Sequence, residues 1–207
     1  MADVSEEPRR RRAPAMSPED RREAIVQATL PLVVKSGANV TTSQIAAAAG
    51  IAEGTVFRVF KDKAELLDAV IERALLSDDE VAAINAVPSG LALQQRLVVA
   101  VSSVLGYLDR MWGVMGALRE SGWHPDHDDK TKHKGPPEGM QRISTAVAGI
   151  FGDAEMRTTP EHAARLLLGF VFTNRLQGKG FGETTVDPEH LVELFLHGAL
   201  KPGGKDV

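Results

Sequence analysis

The most constraining part of this chain is a short segment near its N-terminus, residues 41–63, which reads TTSQIAAAAGIAEGTVFRVFKDK. Threonine often caps the start of a helix and glycine its end, so either Thr41 or Thr42 can begin a short helix that stops at Gly50. A second short helix is expected from about Glu53 to Phe60. Two such helices joined by a tight turn can place the second one in the major groove of DNA. The segment therefore predicts a helix-turn-helix unit.

The rest of the chain also shows helical periodicity. After residue 16, apolar residues recur at spacings of three and four, and no segment alternates apolar and polar residues as a strand does. We therefore expect an all-α protein of about nine helices, with an N-terminal three-helix helix-turn-helix domain and a larger C-terminal helical domain. The expected boundaries are a disordered basic arm at 1–16, the helix-turn-helix domain at 17–63, a linking helix at 64–87 and the larger domain at 88–207.

Local breaks predict where several helices end. The linking helix should fade in the acidic run of Asp78, Asp79 and Glu80, and Pro88 with Gly90 should separate it from the next helix. Beyond that break we expect one helix at 91–109 and a shorter one at 111–121. A loop rich in proline, histidine and charge should follow at 122–139, and a glycine-rich loop at 178–186.

Composition excludes several classes of protein. The chain has no cysteine, so it has neither disulfides nor thiolate metal sites. Hydrophobic residues make up 43% of the sequence, which is enough for a core and too much for a disordered chain. The N-terminal arginines have no apolar run behind them, and no uninterrupted apolar run approaches about 18 residues. We therefore expect a cytoplasmic protein without a secretory signal or a membrane partner.

Charge is distributed unevenly along the chain. Residues 1–63 contain 10 Lys and Arg against 8 Asp and Glu, a net charge of +2, whereas residues 64–207 contain 14 against 20, a net charge of −6. A more positive N-terminal part fits contact with a polyanion, although chance variation of surface charge gives the same pattern. The basic arm either follows DNA or is a solvated tail. Its arginines are Arg9, Arg10, Arg11 and Arg12.

The second helix of the helix-turn-helix unit has an inward and an outward face. Val56 and Phe60, four residues apart, can anchor it against its neighbours. On the opposite face Arg58 is the best candidate for a base edge, because its guanidinium matches guanine. Thr42 can offer a hydroxyl to phosphate, Gly54 allows close approach to the backbone, and two flanking lysines can neutralise phosphates. The candidate DNA-binding residues on these grounds are Thr42, Gly54, Thr55, Phe57, Arg58, Lys61 and Lys63.

These residues occur in a pattern that resembles a known family. The pattern is Ile45-Ala46, Ala49-Gly50, Gly54-Thr55, Phe57, Phe60, Lys63 and Glu65-Leu66-Leu67. It is similar to the N-terminal domain of the TetR (AcrR-type) family of one-component regulators, over residues 18–75. Residues 90–207 match that family only in being helical and of suitable length.

The resemblance implies properties that composition does not show. Proteins of this family are usually homodimers, in which the last two long helices form a four-helix interface. They usually repress transcription from a double-stranded DNA operator, and a small molecule in the C-terminal domain releases them. By the same resemblance, residues 88–207 form a ligand-binding and dimerisation domain. Matched by position, the residues that touch DNA in such proteins are Thr42, Ser43, Thr55, Phe57, Arg58 and Lys63.

The chain departs from the family pattern at two positions. Phe57 stands where tyrosine is common, and Val59 where tyrosine or histidine is common. Each change removes a group that can bond to phosphate, at a cost on the order of 1 kcal/mol, unless contact with a thymine methyl compensates. Phe57 is alternatively a core residue. The departures also keep open a second function, a helical small-molecule binding protein with weakened or lost DNA binding.

A group of large side chains in the C-terminal half is a candidate ligand site. Methionine adapts its shape to a ligand, and tryptophan offers a large apolar area with one donor. The same residue types also fill ordinary helical cores, and that alternative applies to each of them. Such a site favours an apolar or aromatic effector. The candidate ligand-binding residues are Met111, Trp112, Met115, Trp123, Met140, Phe170 and Asn174.

No pattern indicates catalysis, a cofactor or a resident metal. One group in the proline- and histidine-rich loop resembles a metal-binding set, but a loop without residues to orient the ligands is a poor scaffold, so a solvated loop is the expected interpretation. The glycine-rich segment at 178–182 lacks a preceding strand and is expected to be a linker. The loop residues in question are His124, Asp126, His127, Asp128 and His133.

Together the patterns predict a dimeric, ligand-responsive, DNA-binding transcriptional repressor, which a small apolar or aromatic effector releases from its operator. They predict no enzymatic activity.

Overall fold

The computed structural model describes residues 16–123, 137–152, 154, 156–180 and 187–197. Within these ranges the chain has nine α-helices, one 3-10 turn and no strand, which confirms the all-α prediction. The helices are α1 (Pro18–Ser36), α2 (Thr42–Ala49), α3 (Glu53–Val59), α4 (Lys63–Leu75), α5 (Asp78–Asn85), α6 (Leu93–Glu120), α7 (Glu138–Phe151), α8 (Pro160–Gly180) and α9 (Pro188–His197). The 3-10 turn, Gly37–Asn39, lies between α1 and α2.

The linking segment differs from the sequence expectation. The acidic run of Asp78, Asp79 and Glu80 begins α5, whereas the preceding helix stops at Leu75. Acidic side chains in the first turn of a helix are stabilised by the positive end of its dipole, so this run favours a helix start and not a helix end. The segment at 64–87 is therefore two helices with a break between them, where one helix was expected.

A second difference is α6, which is continuous where two helices were expected. Asp109 and Arg110 lie at the expected break, but each pairs with an oppositely charged residue of another helix. Asp109 pairs with Arg175 of α8, and Arg110 pairs with Glu80 of α5. Because each of these two charges has an oppositely charged partner on another helix, α6 continues through Asp109 and Arg110. Helix α8 likewise extends into the segment that was expected to be a glycine-rich loop.

Two hydrophobic clusters form the core, and α6 belongs to both. The N-terminal cluster packs α1–α4 together, and the C-terminal cluster packs α5–α9. Leu97 and Leu108 of α6 lie in the C-terminal cluster, whereas Val114 and Leu118, further along the same helix, lie in the N-terminal cluster. One continuous helix therefore connects the helical body to the helix-turn-helix domain.

Among the described helices, α6 alone is long and apolar enough to cross a membrane by length and composition. It packs against α1, α4, α5, α7, α8 and α9. In its most apolar window 39% is buried inside the protein, where α6 contributes to both core clusters, so its composition gives no indication of a membrane span.

Some sequence predictions lie outside the described residues. They concern residues 1–15 of the basic arm, the histidine and aspartate group at 124–133, residues 181–186 of the glycine-rich segment and the C-terminal tail.

Candidate DNA interface and ligand cavity

Caps at both ends of α2 shape the helix-turn-helix unit. The Thr41 hydroxyl accepts a hydrogen bond from the backbone N–H of Gln44 at 3.2 Å, and the Gln44 side chain accepts one from the Thr41 N–H at 2.9 Å. This reciprocal pair satisfies two backbone donors at the helix start. Gly50 ends the helix in the left-handed conformation, with φ of 65°, which glycine adopts without steric cost. The chain turns there and begins α3 at Glu53.

Helix α3 is anchored by one face and exposed on the other. Val56 and Phe60 are 2% and 1% exposed within the N-terminal cluster, which confirms that they anchor the helix. Phe57 is 55% exposed, and Arg58 is exposed as well. The alternative in which Phe57 is a core residue is therefore wrong. Val59 is half-buried against the N-terminal cluster, so its outward contribution is smaller than that of Phe57.

Two candidate DNA-binding residues form hydrogen bonds within the unit. The Thr42 hydroxyl donates to Oε1 of Glu53 at 2.6 Å, which joins α2 to α3. The Lys63 ammonium donates to the carbonyl oxygen of Ala38 at 2.5 Å, which joins α4 to the 3-10 turn. An ammonium has three donors, so Lys63 can hold this turn and still contact a phosphate. Both residues therefore help to position the unit.

The remaining DNA-binding candidates lie on or beside the outward face of α3. Ser43, Gly54 and Lys61 are exposed, and Thr55 is half-buried. Thr55 and Arg58 line a cleft of about 620 Å³ between α3 and the start of α1. The structure therefore places the candidates from α3 beside a basic part of α1.

Two further basic residues, Arg21 and Arg22, line that cleft beside Arg58. Neither was among the candidates predicted from the sequence. The Arg22 guanidinium lies 4.4 Å from the centre of the Phe60 ring and pairs with Glu65 at 3.2 Å. Their signal in the sequence was two successive arginines just after a helix start. Only the packing of α1 against α3 shows that they stand beside Arg58.

An apolar cavity of about 360 Å³ lies among α6, α7 and α8. Met111 and Met140, both predicted ligand residues, line it. Trp112 stands beside it, with its ring 5.2 Å from that of Phe172 in an edge-to-face arrangement. All of the lining side chains are apolar, which suits an apolar or aromatic ligand. They belong to Val104, Leu108, Met111, Pro137, Met140, Leu168, Gly169 and Phe172.

The other predicted ligand residues are not brought together in this cavity. Met115 and Phe170 are exposed, and Asn174 is half-buried on α8. Trp123 packs against the N-terminal cluster, whereas the cavity lies within the C-terminal cluster. Most of the residues that line the cavity were not among the predicted ligand residues. They repeat at helical spacing like any core residue, so no sequence signal distinguishes a cavity wall from a filled core.

Helix α8 carries two exposed apolar patches. Leu166, Phe170, Phe172 and Leu176 are 39–53% exposed. Leu166 and Phe170 are four residues apart, as are Phe172 and Leu176, so each pair forms one patch. The two patches lie on different sides of the helix, because residues two apart are separated by about 200° around its axis. The patch of Phe172 and Leu176 borders the cavity, whereas that of Leu166 and Phe170 does not.

Hydrogen bonds join α6 to the end of α4. Arg110 donates to Oε1 and Oε2 of Glu80 at 2.6 and 3.2 Å, and also to the carbonyl oxygens of residues 74 and 76. The Tyr107 hydroxyl donates to the carbonyl oxygen of residue 75 at 3.3 Å. The hydrogen bond to Glu80 raises the pKa of Arg110, and burial raises the pKa of Tyr107, so both groups keep their protons. The end of α4 is therefore held by the helix that lines the cavity.

Comparisons with known proteins agree with this arrangement. Residues 25–70 match the sequence model of a family described as bacterial regulatory proteins, tetR family. A TetR-family transcriptional regulator from Streptomyces coelicolor superposes with a TM-score of 0.56 at 20% identity, over 88% of this chain and 79% of that one. A TetR-family regulator from Mesorhizobium loti gives 0.54 at 19% identity, over 88% and 98%. The transcriptional regulator FadR from Bacillus subtilis, solved in complex with stearoyl-CoA, gives 0.52 at 15% identity, over 86% and 99%.

At these sequence identities the structural likeness shows a shared fold. The family is indicated by the match of residues 25–70 to its sequence model. The matched residues include the whole of α2, the turn at Gly50 and the whole of α3. The chain therefore carries the helix-turn-helix domain of the tetR family of bacterial regulatory proteins, within the fold of the TetR-family transcriptional regulators.

Proposed function

We propose that this protein is a ligand-responsive transcriptional repressor that binds its operator as a homodimer. The observation that carries the proposal is the outward face of α3, where Phe57 and Arg58 are exposed while Val56 and Phe60 hold the helix in the core. A short helix held in this way can enter a major groove without unfolding its own domain. Two copies in successive grooves would occupy the operator and exclude other proteins from it.

We expect Arg58→Ala to relax the base preference of operator binding. A guanidinium contacts both acceptor atoms of a guanine, so its loss should lower affinity for the preferred base by about tenfold and leave non-specific binding nearly unchanged. Lys61→Ala is the matched control, because a lysine that contacts phosphate supports all sequences about equally. Gel shifts with the DNA upstream of the protein's own coding sequence, at two salt concentrations, measure both effects. If both variants bind like the parent protein, α3 is not the recognition helix.

The effector is proposed to be a small apolar or aromatic molecule that occupies the cavity among α6, α7 and α8. FadR, which shares the fold, was solved with stearoyl-CoA, so a long-chain acyl compound is a suitable first probe. A ligand that shifts α6 also shifts α4 through the hydrogen bonds of Arg110, and this changes the spacing of the two recognition helices. Release of operator in the gel shift, together with a change in tryptophan fluorescence that Trp112→Phe abolishes, tests this part of the proposal.

The dimer is proposed to form through the exposed apolar patch of Leu166 and Phe170 on α8. We expect Phe170→Glu to convert the dimer to a monomer, because it places a charge in the middle of a surface that must lose its water. Leu91→Glu makes the same chemical change at an exposed leucine before α6 and should leave the dimer intact. Sedimentation velocity measures the mass of each variant. A Phe170→Glu protein that remains dimeric would place the interface elsewhere.

A second candidate function is a helical small-molecule binding protein that has lost DNA binding. The observation that favours it is the outward face of α3, where the exposed Phe57 lacks a polar group for phosphate and Glu53 adds a negative charge. The gel shifts described above separate the two candidates. Salt-sensitive retention of one promoter fragment supports the repressor, and failure to retain any native promoter supports the binding protein.

A further inference from the structure

We propose that Glu53 is a specificity-determining residue, whose carboxylate accepts a hydrogen bond from the exocyclic amino group of a cytosine in each operator half-site. This inference rests on the proposed DNA-binding function and adds to it a residue that reads a base. Sequence patterns gave no reason to select Glu53, because an acidic residue in the first turn of a helix is ordinarily explained by the helix dipole.

The position of Glu53 puts its side chain at the end of α3 that enters a groove. Glu53 is the first residue of α3 and is exposed. Phe57, which is 55% exposed, follows one helical turn later, so the side chains of Glu53 and Phe57 lie on the same side of α3. Residues at the N-terminal end of a recognition helix are the ones that contact base edges. A docking mode that brings the exposed Phe57 to the DNA therefore brings Glu53 to it as well.

The carboxylate is held in place before DNA binds. The Thr42 hydroxyl donates to Oε1 of Glu53 at 2.6 Å, across the turn between α2 and α3. A glutamate side chain normally loses considerable freedom when it is fixed on binding, and this bond reduces that loss. A carboxylate has two oxygens and about four acceptor sites, so the bond to Thr42 leaves Oε2 able to accept another donor.

The chemistry of the major groove selects cytosine as the partner. An ionised carboxylate can only accept hydrogen bonds, and cytosine presents an amino donor there. Guanine and thymine present only acceptors there, which repel a carboxylate, and adenine offsets its amino donor with the acceptor N7 beside it. Where no donor is present, the negative charge of Glu53 among the phosphates lowers affinity. The same residue therefore favours one base and penalises the others, which is how specificity arises.

Selection of bound duplexes from a random DNA library tests the proposal, with the full-length parent protein and three variants. In Glu53→Gln the charge is lost and a donor is gained. Thr42→Val keeps the charge and removes the hydroxyl that holds it. Glu138→Gln is the matched control, because Glu138 is also an exposed acid in the first turn of a helix but lies on α7 of the helical body.

We expect the parent to prefer cytosine at one symmetric pair of positions. Glu53→Gln should lower that preference by about tenfold and shift it toward adenine, which glutamine recognises. Thr42→Val should weaken the preference by about threefold, since the carboxylate is then free to move. Glu138→Gln should select the same sequences as the parent.

The inference on Glu53 is overturned if the parent selects a defined sequence and Glu53→Gln selects the same one. It is also overturned if the defined sequence has no preferred cytosine, or if Glu138→Gln changes the preference as much as Glu53→Gln. A parent protein that selects no sequence at all refutes the proposed repressor function itself, which is a different outcome. Circular dichroism of each variant confirms that an altered preference does not result from unfolding.

Discussion

Replacing Arg110 by methionine is expected to lower the free energy of unfolding by about 3–5 kcal/mol, because it breaks a largely buried ion pair from one side. The Glu80 side chain is only 10% exposed, and Arg110 is its partner at 2.6 Å. Methionine keeps most of the apolar stem of arginine, so the loss reflects an unpaired carboxylate and two backbone carbonyls without their donor. Urea unfolding followed by circular dichroism measures the change.

The control for this prediction removes both charges. In the double variant Arg110→Met with Glu80→Leu no buried charge is left unpaired, so much of the lost stability should return. A double variant as unstable as Arg110→Met would show that the carbonyl groups at the end of α4, and not the carboxylate, dominate the cost. An Arg110→Met protein as stable as the parent would contradict the prediction outright.

The second large effect is expected at Gly37, where Gly37→Ala should cost about 3 kcal/mol or more. Gly37 has φ of 56°, a conformation that disfavours a side chain. A Cβ atom at this position would also overlap the carbonyl oxygen of Ala117 and the side chain of Ser121, both at the end of α6. The overlap would push α6 away from the 3-10 turn.

Gly152→Ala separates the two causes. Gly152 has φ of 51° and ψ of −127°, close to the 56° and −141° of Gly37, but a Cβ there meets nothing within 4 Å, so this variant carries only the backbone cost, on the order of 1–3 kcal/mol. The difference between the two variants in thermal and urea unfolding measures the close approach at Gly37. Equal losses for the two variants would mean that α6 moves aside without cost.

The contact between the 3-10 turn and α6 should affect DNA binding as well as stability. The Ala38 N–H donates to the Ser121 hydroxyl at 2.8 Å, and the Ala38 carbonyl accepts from Lys63 at 2.5 Å. One residue of the 3-10 turn is therefore held by α6 on one side and by α4 on the other. A Gly37→Ala protein that still folds should bind operator more weakly than Gly152→Ala does, because the 3-10 turn leads directly into α2, whereas Gly152 lies at the end of α7.

Local signals in the sequence were sufficient for the helix-turn-helix unit. The cap at Thr41, the left-handed glycine at Gly50 and the four-residue spacing of Val56 and Phe60 act within a few residues of each other. Each of these signals acts locally. A cap satisfies backbone hydrogen-bonding groups at the end of its own helix, and residues four apart lie on one side of the same helix. For this reason the anchors of α3 could be named from the sequence.

The ligand cavity could not be predicted in the same way. Trp123 and Trp112 are close in the sequence and have the same chemistry, yet they pack in different clusters because α6 passes from one cluster to the other. Phe172 lines the cavity, whereas Phe170, two residues away and equally exposed, does not. Whether a residue of a buried helix faces a cavity or a neighbour depends on how the other helices pack against it.

For this protein, then, amino-acid order alone determined which segments are helical at the N-terminus, which residues anchor α3 and that the chain is all-α, because those features depend on contacts a few residues apart. Tertiary structure decided that α6 is one helix, that Thr42 holds Glu53 and that Gly37 must remain a glycine. These features depend on partners 11 to 84 positions away in the chain. Contacts over such separations exist only after the helices have packed.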